Sequence, residues 1–309
     1  MSTPLVVIVG PTASGKSALA LELAARLGDS GRAAEIVNGD SMLVYKGMDI
    51  GTAKPTPAER GAVPHHLIDI MDVTRTANLA EFQGLARGAI EDIRGRGAVP
   101  ILVGGSALYT HAILDEFDFQ PSDPSVRARW EVELARLGPV ELHARLHAIS
   151  PESAARIEPG NGRRIVRALE VVELAGIHVA SLPAWRYALD GVFQFGLESG
   201  RDVLDARIDA RVDAMWARGL VDEVRGLLRV GLRDGTTAIR AIGYRQVVSF
   251  LDGDCSEDQA MADVKRATRR FVRKQLGWYR RDPRIHWLRA ADPANPATIL
   301  SGLRWADRD

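Results

Sequence analysis

Leu5-Val-Val-Ile-Val9 runs into Gly10-Pro-Thr-Ala-Ser-Gly-Lys-Ser17, and the chain then continues from Lys16 to Leu27 as KSALALELAARL. The first five residues form an unbroken, largely β-branched run, the pattern of a strand buried on both faces in a parallel sheet. The last twelve are rich in Ala and Leu at helical spacing and stop at Gly28, where a C-cap is expected. The eight between them match G-x-x-x-x-G-K-[ST], and a strand before and a helix after are the context that such a pattern requires. Gly10 and Gly15 permit a tight loop whose backbone N–H groups converge on phosphate oxygens, and the helix N-terminus adds partial positive charge. The expected polyphosphate cradle is therefore Gly10, Pro11, Thr12, Ala13, Ser14, Gly15, Lys16 and Ser17. Lys16 supplies a mobile point charge, and the Ser17 hydroxyl is suited to Mg²⁺. The bland alternative is a glycine-rich turn without a ligand, which would not need this strand-to-helix setting.

Outward from the loop, Ala34 to Asn38 reads as a second strand, Leu79 to Arg94 as a helix, and Val99 to Val103 as a third strand ending in Gly104-Gly105. Strands alternating with helices imply an open parallel α/β sheet, P-loop NTPase-like, with ligands at the carboxyl ends of its strands. After Asp118 the character changes. Pro121, Asp123 and Pro124 punctuate, and Val126 to Ile149 and Gly162 to Ala175 read as helices with no strand between them. Gly191 to Leu197 reads as a strand returning to the sheet, and charged helices follow from Asp202, the first reaching Arg225. The expected organisation is a catalytic core of residues 1–117 and 191–309 with C-terminal helices, and an inserted all-helical domain of residues 118–190 that contacts RNA.

The chain has 309 residues, 46% of them hydrophobic, enough for a sizeable core. Its 40 Lys and Arg balance 40 Asp and Glu, so no global field draws it to nucleic acid or to an anionic membrane, and any basic surface must be local. One such surface is visible. Lys265, Arg266, Arg269, Arg270, Arg273 and Lys274 recur at helical spacing, with Phe271, Leu276, Trp278 and Tyr279 among or beside them. With Asp263 and Asp282 as the only acids near it in sequence, the stripe favours an RNA backbone over a solvated, ion-paired helix face. Cys255 is the only cysteine, which excludes an internal disulfide and fits a cytoplasmic setting. No secretory leader is expected, because the opening apolar run is too short and lacks a basic flank, and no membrane span, because no run approaches about 20 apolar residues.

The loop alone does not choose the chemistry, since NTPases, kinases and diphosphate-using transferases share it. A P-loop NTPase normally places a second acidic residue at the end of another strand for Mg²⁺; here Ile101 to Val103 runs into Gly104-Gly-Ser-Ala-Leu-Tyr109 with no carboxylate. Other motifs are more specific. Asn38-Gly-Asp-Ser-Met-Leu-Val-Tyr-Lys-Gly-Met-Asp-Ile-Gly-Thr-Ala-Lys-Pro55, Pro64-His-His-Leu-Ile-Asp69, Val103 to Tyr109, Arg163-Arg-Ile-Val-Arg-Ala-Leu-Glu-Val171, Arg207-Ile-Asp-Ala-Arg211 and Ala241-Ile-Gly-Tyr-Arg-Gln246 follow one another along the chain. In this order they resemble the tRNA isopentenyltransferase family over nearly the whole length. Serine stands at Ser17 and Ser106 where the family often has threonine, which keeps the hydroxyl. Pro159-Gly-Asn161 replaces the usual proline-asparagine pair, and the single cysteine leaves no room for the zinc finger of many eukaryotic members.

The resemblance implies transfer of a dimethylallyl group from its diphosphate to N6 of an adenosine beside the tRNA anticodon, with release of pyrophosphate and Mg²⁺ as cofactor. It places the general base at Asp40, as the weakly nucleophilic adenine amine requires. Lys16, Ser17 with Mg²⁺ and Arg211 would neutralise the leaving group, Arg207 being the weaker choice. It assigns tRNA contacts to Asp40, Ser41, Met42, Leu43, Ser106, Arg163, Arg164, Arg167, Arg240, Gly243 and Arg245. The expected partners are the anticodon stem-loop and dimethylallyl diphosphate, and the expected state is a monomer. On the residues alone, Arg211 lies in a charged helix where an ion-paired role is the ordinary one, and the bland alternative for Asp40 is a turn cap or a water-mediated Mg²⁺ contact. His65 and His66 lack further ligands at metal-binding spacing and read as structural or RNA-contacting. An adenylate isopentenyltransferase, a nucleoside or small-molecule kinase and a non-catalytic RNA-binding protein are the rival readings.

Overall fold

The computed structural model describes residues 3–176 and 184–303. Residues 177–183 of the expected insert and 304–309 of the expected core lie outside the described residues. Contacts divide the chain into two units, one of Met1–Asp115 with Trp185–Asp309 and one of Glu116–Ala184.

The first unit is built on a six-stranded sheet of order β3-β2-β4-β1-β5-β6. Its strands are β1 (Leu5–Val9), β2 (Ala34–Asn38), β3 (His65–His66), β4 (Val99–Gly104), β5 (Val192–Glu198) and β6 (His286–Arg289), and every pairing is parallel. In its first part the helices are α1 (Lys16–Asp29), α2 (Pro57–Arg60), α3 (Leu79–Gly95) and α4 (Ala107–Leu114). The second unit holds α5 (Pro124–Ile149), α6 (Pro151–Ala155) and α7 (Gly162–Ala175). The chain returns to the first unit for α8 (Arg201–Ala217), α9 (Leu220–Arg229), α10 (Tyr244–Leu251), α11 (Glu257–Tyr279) and α12 (Asn295–Leu303).

The unbroken apolar run of β1 has the consequence that sequence reading assigned to it. All five residues are inaccessible to solvent. Leu5, Val7 and Val9 pack with Phe82, Ile90 and Ile93 of α3 and with Tyr244 and Val247 of α10. Val6 and Ile8 point the other way, onto Leu19, Leu23 and Leu27 of α1 and Ile299 and Leu303 of α12. Helices thus cover both faces of the sheet at β1, and burial of each such side chain stabilises by about 1.5–3 kcal/mol.

Some boundaries differ from the sequence reading for identifiable reasons. Helix α1 passes through Gly28 to Asp29, because Ser30 bonds back to the Arg26 and Leu27 carbonyls and Gly31, at φ 79°, makes the left-handed turn instead. The single charged helix expected from Asp202 to Arg225 is two helices, broken where Gly219 adopts φ 94° ahead of α9. Strands β3 and β6 were not anticipated. They have two and four residues and lie at the two edges of the sheet, where one-sided pairing requires little apolar sequence.

In the second unit α5 is interrupted at Gly138 (φ 77°, ψ 165°), just before Pro139. Leu142, Leu146, Ile157, Ile165, Val166 and Leu169 form the core. The fully buried Glu170 carboxylate accepts bonds from Ser122 Oγ, Asp123 N, Arg127 and Arg167. Burial alone would raise its pKa, but these bonds hold it below the ordinary glutamate value.

Candidate functional site

The cradle forms where β1 ends. Gly10, Ala13 and Gly15 have φ of 146°, 63° and 93°, so the loop turns through backbone conformations that fold its N–H groups inward. Gly15 precedes α1 without a side-chain cap, which leaves the first N–H groups of the helix available to an anion. The Ser14 hydroxyl is 2% exposed and has no hydrogen-bond partner among the described residues. A buried, unpartnered donor inside such a loop fits a bound phosphate oxygen. The Lys16 ammonium donates to the Pro11 carbonyl at 2.7 Å, held back over the loop.

Asp40 comes from the end of β2. Gly39 N continues the ladder to Val103 O at 2.7 Å, and the Asn38 side chain then shapes the turn. Its Nδ2 donates to the Asp40 and Leu67 carbonyls, and its Oδ1 accepts from Asp40 N at 2.8 Å. Asp40 Oδ1 accepts from Met42 N at 2.9 Å, so the capping role is present. Oδ2 has no hydrogen bond among the described residues and is free for chemistry. The ends of β2 and β4 touch so closely that a Cβ on Gly104 would lie 2.5 Å from Gly39 O. One step on, Ser106 Oγ takes the Ser41 N–H and faces the Ser41 hydroxyl, both at 3.2 Å. Met42 and Leu43 are half-buried.

Electrostatics tie these parts together. Burial lowers the Lys16 pKa to about 8, with the Asp40 charge raising it and Arg211 lowering it further. Burial likewise lowers Arg211, which Asp40 opposes. Burial pushes Tyr109 up to about 12, helped by Tyr45 and Asp40; it raises Tyr279 too, where a Thr110 hydrogen bond opposes and Asp40 adds. Lys16, Arg211, Tyr109 and Tyr279 all feel the charge of Asp40. Arg211 is half-buried, whereas Arg207, one turn earlier, is exposed. Ser17 is exposed at the start of α1 and makes no hydrogen bond among the described residues, which suits a hydroxyl that would complete the shell of a phosphate-bound Mg²⁺. No cluster of three or more His, Cys, Asp or Glu able to hold a metal exists among the described residues.

The remaining expected residues have no hydrogen bond to the loop or to Asp40 among the described residues. Arg240 and Arg245 are exposed, and Gly243 is buried at φ 97°. In the second unit Arg163 and Arg164 are exposed at the start of α7, but Arg167 is committed to Glu170 and to the Gln120 and Pro121 carbonyls. The stripe on α11 needs correction. Helix α8 brings acids that sequence neighbourhood did not show: Asp209 pairs with Arg269, and Asp213 with Lys265 at 2.5 Å. Arg266 pairs with Asp263, and Asp282 turns to Arg284. Arg270, Arg273 and Lys274 stay exposed and make no ion pair among the described residues. His66 pairs with Glu35, and His65 bonds Val63 O, so both have structural partners.

Two site-shaping residues escaped the sequence reading. Glu223 of α9 accepts from the consecutive N–H groups of Asp49, Ile50 and Gly51 and from the Tyr244 hydroxyl at 2.6 Å. Buried Lys54 donates to Asp49, Asp69 and the Tyr45 carbonyl. Together they pin the segment that follows Asp40. Glu223 lies in the stretch read as a charged helix from Asp202 to Arg225, and no local signal marks it.

A glycine-rich loop carrying Lys16 between β1 and α1, at the end of a six-stranded parallel sheet flanked by helices, defines the class as a P-loop-like α/β protein. Comparison with known proteins gives the family. Residues 43–282 match the IPP transferase model, and the chain belongs to that transferase family. It is 58% identical over 300 residues to a tRNA dimethylallyltransferase of Kineococcus radiotolerans, covering 96% of this chain and 94% of that one. It is 57% identical over 291 residues to the Thermobifida fusca enzyme of the same name, covering 93% and 90%. Among solved structures, the full-length tRNA isopentenylpyrophosphate transferase of Bacillus halodurans superposes with a TM-score of 0.72 at 38% identity, over 99% of this chain and 98% of that one. A eukaryotic dimethylallyltransferase acting on tRNA gives 0.77 at 25% identity, over 100% and 81%. Among the described residues no helix is long and apolar enough to cross a membrane.

Proposed function

We propose that the protein transfers the dimethylallyl group of dimethylallyl diphosphate to N6 of an adenosine beside the anticodon of tRNA and releases pyrophosphate. The observation that carries this reading is the glycine-bent, uncapped loop in which the Ser14 hydroxyl is buried without a partner among the described residues and the Lys16 ammonium folds back over the loop, with the charges of Asp40 and Arg211 both acting on Lys16. On this reading Lys16, Arg211 and the loop N–H groups would receive the departing diphosphate, and the Asp40 oxygen that makes no hydrogen bond among the described residues would take the proton.

The adenine amine is a poor nucleophile because its lone pair is delocalised into the ring. As N6 bonds to the allylic carbon, the C–O bond to the diphosphate breaks and Asp40 Oδ2 takes the N6 proton. Charge developing on the leaving oxygens is neutralised by Lys16, Arg211 and the loop N–H groups, which are already oriented before reaction. Mg²⁺ held by the Ser17 hydroxyl and the diphosphate oxygens would add further charge neutralisation. The adenine must leave its stack to reach Asp40, and Asp40 to Leu43 with Ser106 would line its path. Arg163, Arg164, Arg240 and Arg245 are exposed cations suited to RNA, as are Arg270, Arg273 and Lys274 on α11; the helical second unit fits a role in holding tRNA. Incubation with labelled dimethylallyl diphosphate and unmodified tRNA tests the reading. Label in N6-dimethylallyladenosine after digestion is the expected result. Label in free AMP, or ATP consumption with none in tRNA, contradicts it.

A further inference from the structure

Gln275 of α11 is 4% exposed, and its amide touches two loops far away in sequence. Oε1 accepts from the Thr12 N–H of the phosphate loop at 3.1 Å, and Nε2 donates to the Gly105 carbonyl at 2.7 Å. The orientation is unambiguous, because a flipped amide would set donor against donor and acceptor against acceptor. Gly105 comes so close that a Cβ there would lie 2.7 Å from Nε2 and 3.6 Å from the Lys16 ammonium. The next residue, Ser106, holds Ser41 beside Asp40. One side chain thus braces the diphosphate cradle against the loop that supports the base. The Thr12 N–H is consumed by this brace, which leaves the later N–H groups of the loop for phosphate.

The helix that carries Gln275 has a second face. Val272, Gln275 and Tyr279 are buried on the inner side, where the Tyr279 hydroxyl reaches Gly104 O at 3.4 Å and Thr110 at 3.2 Å. Arg270, Arg273 and Lys274 face outward within the same two turns. Ion pairs to Asp209 and Asp213 lock α11 to α8, which itself carries Arg211. A helix is stiff over this length, so a displacement set by a ligand on the outer face reaches the inner one.

We infer that Gln275 is a positioning residue that couples acceptor binding on α11 to the donor loop, so that tRNA tightens diphosphate binding and diphosphate tightens tRNA binding. This rests on the reading of the outer face as a tRNA contact and of the cradle as the diphosphate site. The coupling is reciprocal by thermodynamic necessity, which makes it measurable from either side.

The experiment measures affinity of the full chain for a sulfur-bridged dimethylallyl diphosphate that resists transfer, with and without an anticodon stem-loop RNA. The same is done for the RNA with and without the analogue. In the wild type each ligand is expected to tighten the other by about fivefold or more, the lower end of ordinary coupling between sites. In Gln275→Ala the factor should fall to about one while RNA affinity measured alone is unchanged. Gln275→Glu keeps the shape and the acceptor for Thr12 but cannot donate to Gly105, and it should also lose the coupling, which guards against misfolding of the alanine variant. If both variants bind the analogue more weakly yet keep the wild-type factor, Gln275 is only structural and the inference is overturned. A wild type that performs the transfer but shows no mutual tightening overturns it as well. A wild type that performs no transfer removes the functional reading beneath it.

Discussion

Lys16 should lose its proton near pH 8 in the ligand-free protein, far below an ordinary lysine, because burial outweighs the attraction of Asp40. The sign of the consequence follows. Below about pH 8 the ammonium is charged and attracts the diphosphate; above it the neutral amine does not. A bound diphosphate favours the charged form, so the complex titrates higher than the free enzyme. With kcat/KM reporting the free enzyme, its value for the donor should fall by roughly tenfold per pH unit above about 8, while kcat stays level further. A kcat/KM that is flat up to the ordinary lysine range would show that Lys16 does not carry this attraction. Lys16 and Ser17 were legible in the sequence as fixed positions of the loop motif between β1 and α1, and Asp40 through the family resemblance of the segment that follows β2. Gln275 and Glu223 were not, because each acts on backbone N–H or carbonyl groups of segments more than a hundred residues away, and a glutamine or glutamate in a polar helix carries no local mark.

Elements with strong apolar patterns were read correctly in type, and the edges of the sheet were not. Strand β1 needs both faces covered and shows it in five consecutive apolar residues. In β6 only Leu288 is buried, too little apolar pattern to read as a strand. The contact of β2 with β4 is another feature that spacing does not reveal, although a glycine follows β2 and another ends β4. Gly104→Ala should force these strand ends apart, since its Cβ would stand 2.5 Å from Gly39 O, and so displace Asp40 from the cradle. The expected outcome is a lower Tm together with a loss of transfer in the fraction that remains folded. Unchanged Tm and unchanged transfer would mean that the close approach does not position the base.

On the scale of the whole molecule, 40 cations balance 40 anions, so attraction to RNA has to come from local surfaces rather than long-range steering. On α11 the ion pairs of Lys265 and Arg269 with α8, and of Arg266 with Asp263 on α11 itself, reduce the six-residue stripe to Arg270, Arg273 and Lys274. Replacing those three with Ala should weaken tRNA binding and reduce the slope of log K against log salt by roughly two, with diphosphate affinity unchanged. Replacing the paired Arg269 should instead disturb the α8–α11 contact, and an unchanged slope in the triple variant would remove α11 from the RNA surface. In the proposed reaction donor and acceptor meet for one event, proton removal by Asp40 as the allylic group moves. Asp40→Asn keeps an oxygen for the Met42 N–H and loses only the basic function. Single-turnover transfer from a saturated complex of this variant with donor and tRNA is the most direct measurement. The rate should fall by about 10² to 10⁴ with both ligands still bound, and a rate within about tenfold of wild type would contradict the assignment of Asp40 as the base.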